Sequence, residues 1–195
     1  MSFLEDLSAT LDKEGLESRV HGTTMLVPIA SGIEIHLVEI DPLLPAANVY
    51  ISSSSDLDEE DGEDTLVAVV FSVEDALEEI ANHVATDQLV TVLHDLFEGT
   101  DERLGDLEFL QDGTMPDLAV ADVAENSELH VQLSTEDGAL LATVSMVAYG
   151  DPEDEETEEE ILTLGTFRDV DRLFDVLALA AERAEEWEEE LNPVE

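Results

Sequence analysis

Cysteine is absent, which excludes disulfides and thiolate metal sites and leaves the redox compartment open. Positive charge is nearly absent as well: 6 Lys and Arg stand against 51 Asp and Glu, a formal net charge of −45. Nucleic-acid backbones and anionic membranes are bound through basic side chains that displace counterions, so direct binding to either is not expected. Unbroken apolar runs are short, none approaching the roughly 20 residues of a membrane-spanning helix. The opening Met1-Ser2-Phe3-Leu4-Glu5-Asp6 lacks the basic and apolar segments of a secretory signal. The expected location is cytoplasmic. No Gly-x-Ser-x-Gly elbow and no Gly-rich phosphate loop occurs, so neither nucleophilic catalysis nor nucleotide binding has a motif to stand on.

What is present is a chain of 195 residues, 44% apolar, enough for one sizeable domain or two small ones. The acidic residues are spread over the whole length. Their mutual repulsion opposes compaction, and added salt screens it within about 10 Å at 0.1 M. Two readings fit this charge: a protein kept soluble in a salt-rich or acid-biased proteome, or one that attracts a basic protein partner. The single Lys13 beside five Arg favours a compositional bias without separating it from function.

An internal repeat organises the rest. Shifted forward by 94 positions, Val67–Ile80 falls on Ile161–Phe174, and Ser72-Val73-Glu74-Asp75 on Thr166-Phe167-Arg168-Asp169, which predicts a helix cap at Ser72 and at Thr166. The same shift carries Glu34-Ile35-His36-Leu37 onto Glu128-Leu129-His130-Val131. Helical spacing of Phe3, Leu4, Leu7 and Leu11, with a Ser2/Glu5 capping box, predicts a helix over residues 2–14. Period-two patterns predict strands over 20–29 and 33–40 around a Ser31-Gly32 turn, and further strands are read at 48–52 and in the apolar run 66–71. Helical patterns follow over 72–84 and, restarting at Thr86, to Glu98. Further strands are predicted at 107–110, 118–123, 129–133 and 140–148, with Asp137-Gly138 as a hairpin turn. A closing strand and long helix fill Ile161 to Leu191. The expected fold is α+β: two similar helix-flanked antiparallel-sheet units, over residues 1–100 and 101–195, with helix 86–98 shared between them.

Candidate chemistry is sparse. The acidic loop Asp56–Gly62 suggests calcium, but Gly62 is seventh from Asp56 where an EF-hand needs Gly sixth, and the twelfth position is Val67. Loop 151–160 has no Gly inside its acidic run. Glu34 with His36, and Glu128 with His130, each place a carboxylate and an imidazole on one strand face. One pair is an incomplete ligand set, so no metal site and no cofactor is expected. His83 and His94 share a helix face if that helix is continuous, again without a third ligand. In the last helix Val170, Leu173, Phe174, Leu177, Ala181, Ala184, Trp187 and Leu191 form an apolar stripe beside Glu182, Glu185, Glu186, Glu188, Glu189 and Glu190. Carboxylates at a helix C-terminus oppose its dipole, which predicts fraying beyond Trp187 or neutralisation by a basic partner. Trp187, Leu191, Glu185 and Glu189 are the candidate partner-binding residues, for a protein partner or for self-association.

The strand and helix segments Leu66–Ile80 and Ile161–Phe174, the order of elements in each half and the acidity together resemble the YbjN type of small acidic α+β module, similar in fold to type III secretion chaperones. The resemblance implies a non-enzymatic protein that binds other proteins as a chaperone or adaptor. The resulting expectation is an acidic protein-binding module for a basic or partly unfolded client. The alternatives are a metal-dependent enzyme built on the duplicated Glu/His pairs, or an acidic mimic of nucleic acid.

Overall fold

Helix α1, Phe3–Lys13, forms where the capping box predicts it: the Ser2 hydroxyl accepts from the Glu5 N–H at 3.3 Å, and Ser2 N–H donates to Glu5 Oε2 at 2.8 Å. Phe3, Leu4, Leu7 and Leu11 share the face it buries, and Gly15 at φ +80° ends it. These details come from a computed structural model, which describes residues 2–30, 32–53, 64–150 and 159–191. Ser31 of the expected first hairpin turn and most of both acidic loops, with the calcium reading of Asp56–Gly62, lie outside the described residues.

The fold is α+β. Among the described residues there are two antiparallel sheets of five strands and three α-helices. The first sheet is a meander of β1 Arg19–His21, β2 Thr24–Ala30, β3 Ile33–Asp41, β4 Ala46–Ser53 and β5 Asp64–Val70, in that spatial order. The second is β6 Leu110–Gln111, β7 Leu118–Ala124, β8 Ser127–Glu136, β9 Ala139–Ala148 and β10 Glu160–Phe167, again in chain order. Helix α2 is Val73–Glu98 and α3 is Val170–Leu191. Where periodicity predicts one strand over 20–29 there are two, because Gly22 at φ +63° lets the chain reverse after His21. Of the strand expected at 107–110 only Leu110 is in a strand, the two-residue β6.

Packing divides the chain into Met1–Asp87 and Gln88–Glu195, so the division falls inside α2 and not at residue 100. The side chains explain it. Val73, Ala76, Leu77, Ile80 and Val84 of α2 belong to the first core, while Leu89, Val92, Leu93, Leu96 and Phe97 belong to the second. Taken whole, α2 has no single apolar stripe. It does not restart at Thr86, whose hydroxyl donates to the Asn82 carbonyl at 2.8 Å within an unbroken helix.

In the first unit, Met25, Val27, Ile35, Leu37, Ala47, Val49 and Val70 pack with α1 and the start of α2. In the second, Ala119, Ala121, Leu129, Val131, Leu133, Ala142, Val144 and Met146 pack with Leu173, Phe174, Leu177, Ala180 and Ala184 of α3. Each large buried apolar side chain contributes about 1.5–3 kcal/mol relative to exposure.

Ser72 caps α2, accepting from the Asp75 N–H at 3.0 Å. Thr166 does not cap α3. It lies in β10, paired with Thr143, and its hydroxyl sits 3.1 Å from that of Thr143. The strand runs this far because a bulge at Gly165 realigns it on β9; Gly165 has φ +144°, and a Cβ there would meet the Phe167 ring at 3.0 Å. Asp169 takes over the capping, its carboxylate accepting from the Arg172 N–H at 3.1 Å.

Candidate interaction surface

The end of α3 is tied to its own unit. Trp187 is half-buried against the second core, and α3 continues helical to Leu191, contrary to the fraying expected of an acidic C-terminal turn. The reason is Glu188. Its carboxylate accepts from the Asn126 N–H at 3.0 Å and from the Ser127 hydroxyl, so one of the crowded acids holds the β7–β8 turn. Leu191 is half-buried, and Glu185 and Glu189 are exposed.

Both Glu/His pairs form as the strand period predicts, with different surroundings. In the second unit His130 Nε2 lies 3.0 Å from Glu128 Oε2, which also accepts from the Tyr149 hydroxyl at 2.6 Å. Burial, then the bond to that carboxylate, raises the Tyr149 pKa above the ordinary phenol value. In the first unit His36 lies between Glu34 at 3.5 Å and Asp64 at 3.6 Å, and its Nε2 is buried without a hydrogen bond. His83 contacts Glu79 at 2.9 Å, one helical turn away. Among the described residues no three His, Asp or Glu side chains are grouped to hold a metal ion. No described helix is long and apolar enough to cross a membrane.

Arg103, in the short turn Glu102–Leu104, is the cation most heavily used. It meets Asp101 at 2.8 Å, Asp175 at 3.0 Å and Asp171 at 3.1 Å, and its guanidinium lies 5.4 Å from the centre of the Phe174 ring. These bonds raise its own pKa and hold the Asp101 carboxyl at about 2.

Apolar surface concentrates elsewhere. The run Leu66-Val67-Ala68-Val69-Val70-Phe71 has no alternation, which by pattern alone suits a strand buried on both faces. Instead it forms β5, at the edge of the first sheet. Leu66 is 53% exposed, Phe71 just beyond the strand 65%, and Val67 and Val69 are exposed too. Val67 is the residue of a β-bulge and has no partner on β4. Every second backbone N–H and C=O of such an edge points away from the sheet.

The other edges are blunted: β1 and β6 have three and two residues, and β10 carries Glu160 and the bulge at Gly165. Past Asp64 and Thr65, β5 has neither a charge nor a proline. A second exposed apolar group, Ile40, Leu43 and Leu44, sits on the β3–β4 hairpin. Strand periodicity overlooked both, because it reports which residues are apolar and not which strand ends up outermost.

No protein-family model, no curated protein and no solved structure matches this chain.

Proposed function

We propose that the chain is a non-enzymatic, acidic protein-binding module, acting as a chaperone or adaptor for a basic or partly unfolded client. The observation that carries this reading is β5: a long, apolar, uncovered sheet edge in a chain of net charge −45. An extended segment laid along such an edge gains main-chain hydrogen bonds and buries alternate side chains. A second copy would bring another −45 to the edge, whereas a Lys- or Arg-rich segment is drawn to it.

On the same reading the two units are copies of one module related to the YbjN type. Three features support the duplication. Each unit runs helix, five-strand meander, helix. Adding 94 to the bounds of β2, Thr24–Ala30, gives those of β7, Leu118–Ala124. The irregularity in β2, between Pro28 and Ala30, maps by that shift onto the one in β7, between Asp122 and Ala124.

Fluorescence anisotropy with short labelled peptides tests the function. A peptide alternating Val and Arg is expected to bind, more weakly as salt rises, and its Val/Glu counterpart is not. The same basic peptide N-methylated at alternate residues should lose most of its affinity, as should the parent peptide against Val67→Pro. Equal binding of basic and acidic peptides, or none of either, would refute the reading.

A further inference from the structure

The β3–β4 connection is built unlike its counterpart. In the second unit, β8 and β9 are joined by Asp137 at φ 51° and Gly138 at φ 70°, a two-residue turn with no apolar side chain. In the first, β3 and β4 are joined through Pro42-Leu43-Leu44-Pro45. A five-strand meander therefore closes without leucines at this hairpin, and the fold does not account for them.

Leu43 is 89% exposed, the highest value among the large apolar side chains described, and Leu44 is exposed beside it. Ile40 joins them, because a register shift between Glu39 and Asp41 leaves it without a partner on β4 and it is exposed as well.

The tip is also held in one shape. Asp41 Oδ1 accepts from the Leu43 N–H at 2.8 Å and the Asp41 carbonyl from the Leu44 N–H at 3.2 Å; the Leu44 carbonyl accepts from the Ala46 N–H at 2.8 Å. Pro42 and Pro45 fix their own φ angles at either side. A turn ordered before binding loses little conformational entropy when it docks, so exposed leucines on it are available to a partner at low cost.

From these observations we infer that the hairpin tip Ile40–Leu44 is an anchor that inserts into an apolar pocket of a partner protein, and that Lys or Arg rims this pocket. The rim follows from Glu39 and Asp41, which stand on either side of Ile40 and just before the leucines, and from the overall charge, which repels both a second copy and an anionic bilayer. The inference rests on the protein-binding reading and extends it, since a peptide along β5 does not require the tip.

Benzoylphenylalanine placed at position 43 of the full chain, and at exposed Leu110 as a control, is irradiated in cells that naturally contain the protein, and crosslinks are mapped by mass spectrometry. Position 43 is expected to react with apolar residues of a protein whose surrounding surface is basic, and position 110 is not. With that protein purified, Leu43→Ser/Leu44→Ser should weaken the pair by about 100-fold or more, the loss of two buried leucine contacts. The double variant should leave the binding of the Val/Arg peptide unchanged.

Crosslinks to a second copy, to lipid or to an acidic-rimmed surface, no crosslink at all, or unaltered affinity of the double variant would each overturn the anchor. The protein-binding reading survives those results if the basic peptide still binds at β5, and falls only if it does not.

Discussion

Removing the carboxylate of Glu188 should destabilise the second unit, although in charge terms it relieves a crowded helix end. Glu188 accepts from Asn126 N–H and from the hydroxyl of Ser127, the only buried polar or charged residue among those described. With Ala at 188, the Ser127 hydroxyl and the Asn126 N–H lose this carboxylate partner. A buried hydroxyl without a partner costs about 1–3 kcal/mol, and a hydrogen bond to a charged group about 1.5–3 kcal/mol. Glu188 is half-buried, so water replaces part of the interaction and about 1–2 kcal/mol is the expected loss for Glu188→Ala.

For a unit of this size that lowers Tm by roughly 4–10 °C. Glu189→Ala, at an exposed neighbour with the same charge, should move Tm little or slightly upward, by at most about 0.5 kcal/mol. Thermal unfolding followed by circular dichroism at fixed salt compares the two, and a double-mutant cycle with Ser127→Ala isolates the shared bond. Equal Tm values for the Glu188 and Glu189 variants would refute the assignment. The alternative would be that the helix end is governed by net charge alone.

Two further outcomes follow from the charge distribution. Raising salt from 0.1 to 1 M shortens the screening length from about 10 to 3 Å, so Tm should climb across that range before any specific ion effect; a flat profile would mean that charge repulsion contributes little to the balance of stability. The Asp101 carboxyl, depressed from 3.8 to about 2 by Arg103, contributes stability that is complete above 3.8 and lost as pH falls through about 2. Asp101→Asn should therefore flatten the acid limb of the second unit's stability curve in that window, and an Asp101 carboxyl resonance titrating near 3.8 in the native chain would contradict the Arg103 clasp.

Much of the fold was legible because its signals are local. The Ser2/Glu5 box, the Ser72 cap and the Asp137-Gly138 turn each involve residues within a few positions of one another, and each forms as read. Thr166 failed because its role depends on a distant strand: pairing with Thr143 kept it extended and passed the cap to Asp169. The candidate residues Trp187, Leu191, Glu185 and Glu189 rest on helical spacing and on the acidity of the helix end. Spacing could not show that Glu188, among six nearby glutamates, reaches Asn126 and Ser127 some 60 positions earlier. Likewise Glu34/His36 and Glu128/His130 read as identical pairs, yet Tyr149 completes one and Asp64 flanks the other.

The sequence by itself determined the charge, the absence of thiol chemistry, the α+β class and the faces of most helices and strands, since composition and periodicity act residue by residue. Only the tertiary structure decided that α2 serves two cores, that β5 lies at an edge and that Leu43 and Leu44 face solvent. Burial depends on which segments arrive at a surface together, and an apolar run carries the same pattern whether its neighbours cover it or leave it open.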